Sequence, residues 1–265
     1  MSNDFLSSIS NGTPPKESTP TLPKWAETIA YTDDESKQLA RVLVYGRQGV
    51  GKTHFLGTFP DPFFINTDKG LMTLKDKHIM AYNVPFRSKV YNNILDILMR
   101  ARDKKPPFDE RPIQSIVFDS LTELANIMMW EIMAYPDRGE PRYMENTKPV
   151  WDDYSKLQGR LYNILKICED VGLHIGASAG VKVTQKADET VYEGLPSLIG
   201  SLRETIGHRF TEVYYMEPEK NRGEFTYYAH TQKFGIYDCK SQWGLRGKIP
   251  NPRFNDIYTK DIDRK

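Results

Sequence analysis

The chain alternates between short apolar runs and longer segments in which apolar residues recur at helical spacing, a pattern typical of α/β proteins. Short apolar runs predict buried strands because helices cover both faces of a parallel sheet. Such runs predict strands at residues 41–45, 63–66, 79–84, 114–119, 173–178, 210–216 and 225–230. The turn at 220–223 joins the last two, so we expect the late strands to be antiparallel.

Helical periodicity fills most of the intervals between these strands. Helices are predicted from residue 52, at 90–101, from Ser120 to about 135, from Trp151 to Gly172, and at 199–206. Ser120 and Glu123 form an S-x-x-E capping box, which favours a structural role for Glu123 over a catalytic one. The pattern predicts an α/β fold with a mostly parallel central sheet flanked by helices.

The segments without periodicity define the domain organisation. Residues 1–23 are rich in Ser, Asn, Thr and Pro and predict a flexible tail, or alternatively a segment that docks on a neighbouring subunit during assembly. Polar loops are predicted at 136–149 and 180–196. We therefore expect one domain over residues 24–258, followed by a charged C-terminal tail at 259–265.

Composition limits the partners and the compartment. The net charge is +1, so any DNA-binding surface must be a local patch. The stretch from Lys240 onward is the most basic, and is either a surface that contacts phosphates or a solvated tail. The chain has two cysteines and no apolar run of about 18 residues, which predicts a cytoplasmic protein without a membrane span.

The strongest motif is the octapeptide at residues 46–53, which fits the phosphate-binding loop G-x-x-x-x-G-K-[ST]. It lies between a predicted strand and a predicted helix, so backbone N–H groups and a helix dipole surround an anion there. A nucleoside triphosphate is therefore the expected ligand, with the ammonium group of Lys52 reaching the β- and γ-phosphates. The expected nucleotide-binding residues are Gly46, Arg47, Gln48, Gly49, Val50, Gly51, Lys52, Thr53 and His54.

Two further positions predict a magnesium site and a catalytic acid. The strand 114–119 ends in Asp119, which has the form of a Walker B aspartate and would hold Mg²⁺ through water, opposite the Thr53 hydroxyl. Ser120 follows it, so no acid lies directly beside Asp119 in sequence. Asp68, just after the strand 63–66, is the expected acid that orients the attacking water, or alternatively a turn former.

These motifs, in this order, resemble the RecA-like ATPases. The chain is most similar to the core-only RecA-type nucleotide-binding proteins of bacteriophages, which act in single-strand annealing recombination. The resemblance covers about residues 40–258. It includes the motifs at 46–53, 64–70 and 116–120, Trp151 and Tyr154, the segment 195–210, and Asp238-Cys239-Lys240.

The resemblance implies several roles. Asp68 occupies the place of the water-activating glutamate, one methylene shorter, and Ser178 is the polar residue left to sense the γ-phosphate. The loops 136–149 and 180–196 fall where the family has its DNA-facing loops. Lys240 falls where RecA-like proteins send a cation into the ATP site of a neighbouring subunit, so hydrolysis would require assembly.

The sequence therefore favours a DNA-stimulated, Mg²⁺-dependent ATPase that promotes annealing or strand exchange in phage recombination. Its expected partners are single-stranded DNA, copies of itself in a filament or ring, and a single-strand binding protein, in the cytoplasm of the host cell. One alternative is a small-molecule kinase or other phosphotransferase, although the chain lacks an arginine-dense lid. Another is an interaction module in which ATP is a structural ligand.

Overall fold

The computed structural model describes residues 39–85, 89–136, 139–143, 146–185, 192–221 and 223–258. The predicted tails at 1–23 and 259–265 lie outside these residues. The strands are β1 (Arg41–Tyr45), β2 (Pro62–Asn66), β3 (Met80–Asn83), β4 (Ser115–Asp119), β5 (His174–Ala179), β6 (Val181–Gln185), β7 (Tyr192–Pro196), β8 (Glu212–Asn221), β9 (Glu224–His230), β10 (Lys240–Ser241) and β11 (Lys248–Pro250).

The helices connect these strands. They are α1 (Lys52–Leu56), α2 (Val90–Arg102), α3 (Leu121–Ala134), α4 (Trp151–Val171), α5 (Leu202–Thr205) and α6 (Phe254–Ile257), with 3₁₀ segments at Leu71–Lys77 and Ile206–Arg209. The Ser120 side chain accepts a hydrogen bond from the Glu123 backbone N–H, as the capping box predicts. Gly172 ends α4 in the left-handed conformation (φ 81°), which glycine adopts without steric cost.

The large sheet has the strand order β11-β9-β8-β1-β5-β4-β2-β3, and β10 pairs with β8. The strands from β8 to β3 in this order are parallel, whereas β9, β10 and β11 pair antiparallel. The predicted α/β class, with a mostly parallel central sheet and antiparallel late strands, is confirmed. Strand β5 lies between β1, which carries the phosphate-binding loop, and β4, which carries Asp119.

Two apolar clusters cover the two faces of the sheet because side chains alternate along each strand. Leu43 and Tyr45 belong to the cluster that packs against α2, α3 and α4. Val42 and Val44 belong to the other cluster, which includes Phe55 of α1. The ends of the parallel strands are thereby fixed, and the loops that follow them meet at one edge of the sheet.

The prediction of a polar loop at 180–196 was wrong. This segment holds the antiparallel hairpin β6–β7, in which Val181 pairs with Pro196 and Gln185 with Tyr192. All five residues of β6 are exposed or half-buried, so this strand lacks the buried apolar run by which the other strands are predicted. The predicted helix at 199–206 is instead the short helix α5 followed by a 3₁₀ turn. None of the described helices is both long and apolar enough to cross a membrane.

Candidate functional site

The phosphate-binding loop joins β1 to α1 at the carboxyl edge of the sheet. A side chain at Gly46 would place its Cβ 2.4 Å from the backbone oxygen of Met216, which is closer than any real contact. Gly51 precedes α1 with a φ of 86°, in the left-handed region that favours glycine. The first and last glycines of the motif are therefore required by the close packing and the turn of the backbone.

The Lys52 side chain lies along its own loop. Its Nζ donates hydrogen bonds to the backbone oxygens of Gly46 at 3.0 Å and Arg47 at 2.7 Å. Burial lowers the pKa of the Lys52 ammonium group, while the carboxylates of Asp119 and Asp68 act in the opposite direction. The lysine is thus held as a cation between the loop and two acids, where it can neutralise phosphate charge.

Asp119 is the point at which three elements meet. The carboxylate is buried (3% exposed), and its Oδ2 accepts a hydrogen bond from the Thr53 hydroxyl of α1 at 2.7 Å. Its Oδ1 accepts a hydrogen bond from the hydroxyl of Ser178 in β5. The peptide bond between Asp119 and Ser120 is cis.

The oxygens of Thr53 and Asp119 suit Mg²⁺, which prefers hard oxygen ligands. No group of three or more His, Cys, Asp or Glu side chains in the described residues is arranged to hold a metal by itself. A metal at this place would therefore share its coordination with the phosphates of a nucleotide, as Mg²⁺ usually does. Bound there, it would neutralise phosphate charge.

Asp68 lies beside this pair because β2 and β4 are parallel neighbours that end together, with Asn66 opposite Asp119. The backbone N–H of Asp68 donates to the backbone oxygen of Asp119 at 3.3 Å, and the Ser120 hydroxyl donates to Oδ1 of Asp68 at 3.1 Å. Burial raises the pKa of Asp68, as do the neighbouring carboxylates. The Ser120 hydrogen bond and the Lys52 cation lower it.

These groups line one cleft with a volume of about 640 Å³. Of the predicted residues, the cleft brings together Gln48, Gly49, Val50, Gly51, Lys52, Thr53, His54, Asp68 and Asp119. Gly46 and Arg47 contribute the carbonyls that hold Lys52. Gly70 of the motif at 64–70 also lines the cleft, although the sequence assigned it no role. The sequence analysis missed further lining residues that belong to no motif, namely Thr73, Met216, Tyr227, Asn251 and Pro252.

Lys240 does not reach this cleft. It lies on β10 opposite Val213, which pairs with Leu43 in the middle of β1. Burial and the nearby guanidinium group of Arg41 lower the pKa of Lys240, and Glu212 acts in the opposite direction. Arg41 and Glu212 begin their strands, at the edge opposite the phosphate-binding loop. A role for Lys240 in the ATP site of a neighbouring subunit stays a prediction.

The hairpin β6–β7 emerges from the same sheet edge as the phosphate-binding loop. The backbone N–H of Gly46 donates to the oxygen of Ala179 at 3.3 Å, and β6 begins at Val181. The Tyr45 hydroxyl is within hydrogen-bonding distance of the backbone oxygens of Gly194 in β7 (3.2 Å) and Asp238 (2.7 Å). The base of the hairpin is therefore held against the strand that carries the nucleotide loop.

Comparisons with known proteins give a matching family model and a similar solved structure. Residues 38–247 match the family model described as AAA domain. A comparison with curated proteins gives no match. Among solved structures, the chain is similar to a KaiC-like protein from the hyperthermophilic archaeon Pyrococcus horikoshii OT3, with 14% identity and a TM-score of 0.43, over 79% of this chain and 83% of that one.

Proposed function

Because the chain belongs to the AAA domain family, a family of ATPases, we propose that it is a Mg²⁺-dependent ATPase that binds single-stranded DNA and assembles with copies of itself. The observation that carries the proposal is the common edge of the phosphate-binding loop and the hairpin β6–β7. Asp119 accepts hydrogen bonds from both Thr53 and Ser178, so the nucleotide site touches the strand that leads into the hairpin.

The residues of the cleft have separate roles in ATP hydrolysis. Water attacks the γ-phosphorus, and the bond to the β–γ bridging oxygen breaks, which gives ADP and phosphate. Lys52 neutralises charge on the transferred phosphoryl group, and the N–H groups of 48–52 bind the β-phosphate. The Asp68 carboxylate holds the attacking water and accepts its proton. Bound Mg²⁺ would add charge neutralisation at Thr53 and Asp119.

Exposed side chains on the hairpin support a surface for single-stranded DNA. Val183 (47% exposed) and Tyr192 (52% exposed) lie on one face of the hairpin, and the exposed cation Lys182 lies on the other, so a single strand would wrap around the hairpin. Bases stack on exposed aromatic rings, and lysines neutralise backbone phosphates, without a need for a particular sequence. Trp151, 81% exposed at the start of α4, is a second aromatic platform beside the predicted loop 136–149.

The proposed roles of Lys240 and of the DNA surface both depend on assembly of several subunits. Lys240 is remote from the cleft of its own subunit, so it acts only if a neighbour supplies the phosphate. A filament or ring of ATP-bound subunits aligns many DNA surfaces, which promotes annealing or strand exchange. We propose that this is a phage recombination function in the host cytoplasm, with a single-strand binding protein as a further partner.

The test compares ATP turnover with and without single-stranded DNA. We expect DNA to raise turnover, and the increase to fall steeply with salt because DNA binding releases counterions. The double variant Lys182→Ala/Tyr192→Ala loses the stimulation and keeps the DNA-free rate. Lys166→Ala removes an exposed cation near the end of α4 and serves as the control. A wild-type rate that is the same with and without DNA would refute the proposal.

A second candidate follows from Asp68. Its carboxylate is one methylene shorter than glutamate and accepts the Ser120 hydrogen bond, which draws it toward α3. If water is held poorly, ATP acts as a structural ligand of an interaction module. ATP binding with no ADP formation, in the presence of Mg²⁺ and DNA, distinguishes this candidate from the ATPase.

A further inference from the structure

The cleft is lined by two chemically different groups of residues. Lys52, Asp68 and Asp119 carry charges. Met216, Tyr227, Asn251 and Pro252 are uncharged. The family match and the sequence motifs assign no role to these uncharged residues, which belong to the late strands β8 and β9 and to the segment after β11.

The Tyr227 ring is held directly against the phosphate-binding loop. A Cβ built on Gly51 would lie 3.4 Å from Cγ of Tyr227, so the ring packs on that glycine. Asn251 fixes the backbone on which Tyr227 stands, because the Tyr227 N–H donates to Oδ1 of Asn251 at 3.1 Å and the Asn251 N–H donates to the oxygen of Tyr227. Asn251 adopts a left-handed φ of 44°, a region in which asparagine is enriched.

The segment that carries Asn251 and Pro252 is anchored to the residues after α1. The Phe254 N–H donates to the hydroxyl of Thr58 at 2.8 Å, and the rings of Phe254 and Phe59 lie 4.6 Å apart. The late segment is thereby fixed to the element that follows the phosphate-binding loop. Together with Met216, the Tyr227 ring and Pro252 form a preorganised, uncharged wall of the cleft beside the phosphate-binding loop.

We propose that this wall is the base subsite, in which the purine base of the nucleotide stacks on the Tyr227 ring and Asn251 acts as the positioning residue. The inference rests on the proposed ATP binding. Because the charged groups bind the triphosphate, the uncharged wall is the part of the cleft that remains to contact the base of the same molecule. Stacking on an aromatic ring is favourable for a flat base, and a purine covers more of the ring than a pyrimidine.

Titration calorimetry with ATP, CTP and inorganic tripolyphosphate tests the inference, since tripolyphosphate has no base. We expect Tyr227→Ala to weaken ATP binding by on the order of tenfold and to leave tripolyphosphate binding unchanged. The wild-type protein binds ATP more tightly than CTP, and Tyr227→Ala reduces that preference. Asn251→Gly keeps the left-handed backbone, loses the Oδ1 acceptor, and shows a smaller loss confined to ATP.

Neighbouring residues supply the controls. Tyr228→Ala removes the next tyrosine of β9, whose ring lies under Lys248 at 4.1 Å, and leaves ATP binding unchanged. Tyr227→Phe keeps the aromatic ring and therefore the ATP affinity. Tyr227→Leu keeps apolar packing on Gly51 but loses the stacking, so it replaces Tyr227→Ala in the test if the alanine variant does not fold. Equal losses for ATP and tripolyphosphate, or no loss for ATP, overturn the inference. A wild-type protein that binds neither ligand refutes nucleotide binding itself.

Discussion

The hydroxyl group of Thr53 donates a hydrogen bond to Oδ2 of Asp119, with 2.7 Å between the two oxygens. These residues are far apart in sequence and come from the first helix and the strand β4. Their contact brings the phosphate-binding loop and the predicted metal-binding strand together at one point. Because Asp119 is buried, its negative charge acts on whatever cation binds between the loop and the strand.

We predict that Asp119→Asn abolishes the effect of Mg²⁺ on nucleotide affinity and lowers turnover by at least about 100-fold. The amide removes the charge and keeps one oxygen that accepts the Thr53 hydrogen bond. Its NH2 group cannot accept from Ser178, so the Ser178 hydroxyl has to turn and accept a hydrogen bond from the amide instead. ATP titrations in Mg²⁺ and in EDTA measure the effect, and the two proteins converge in EDTA. Asp96→Asn, at an exposed site on α2, is the control. A variant that keeps its Mg²⁺ dependence would exclude Asp119 from the metal site.

The second prediction concerns the pH dependence of turnover. Burial raises the pKa of Asp68 above its ordinary value of 3.8, and the hydrogen bond from Ser120 opposes this rise. Asp68 accepts a proton only as a carboxylate, so turnover falls as the pH falls through its raised pKa. Ser120→Ala removes the opposing hydrogen bond, raises the pKa further, and shifts the acid limb of the kcat profile to higher pH.

The capping role of Ser120 requires a separate check. Loss of the α3 cap destabilises the fold by about 1 kcal/mol, and this is measured by thermal unfolding. Loss of the cap alone lowers stability and does not move an acid limb. Ser155→Ala removes a hydroxyl from α4 that donates to the backbone oxygen of Trp151 in the same helix, and its profile matches the wild type. An acid limb in Ser120→Ala at the wild-type pH would argue against Asp68 as the base.

The sequence predicts the centre of the site better than its outer parts. The phosphate-binding loop and Asp119 are recognisable because each follows a buried apolar strand, and strand ends in a parallel sheet meet at one edge. Tyr227 and Asn251 reach the cleft through the pairing of β9 with β11, which no local pattern encodes. The hairpin β6–β7 was missed because β6 is exposed or half-buried along its whole length and lacks the buried apolar run that marks the strands of the large sheet.

The third prediction concerns the stability of the helical layer. Glu131 of α3 has a side chain only 5% exposed, accepts a hydrogen bond from the Tyr91 N–H of α2, and pairs with Arg160 of α4 at 3.0 Å. Arg160→Ala leaves the buried carboxylate of Glu131 without its cation. We expect this change to lower the free energy of unfolding, measured by urea titration, by about 3 kcal/mol. Lys166→Ala, in an exposed pair on the same helix, leaves the midpoint close to unchanged. Similar midpoints for the two variants would contradict this account.

The last prediction tests Lys240 by mixing two inactive proteins. Lys52→Ala lacks the phosphate-binding cation but keeps Lys240, whereas Lys240→Ala has an intact cleft. If Lys240 completes the cleft of a neighbouring subunit, a mixed assembly contains interfaces in which an intact cleft meets an intact Lys240. For an equal random mixture with head-to-tail contacts this is roughly a quarter of the interfaces, so ATP turnover recovers to about that fraction.

Lys240 lies near Arg41, at the strand edge opposite its own cleft, so rescue within one subunit does not occur. A mixture as inactive as its components, under conditions in which light scattering shows co-assembly, would remove Lys240 from the catalytic residues.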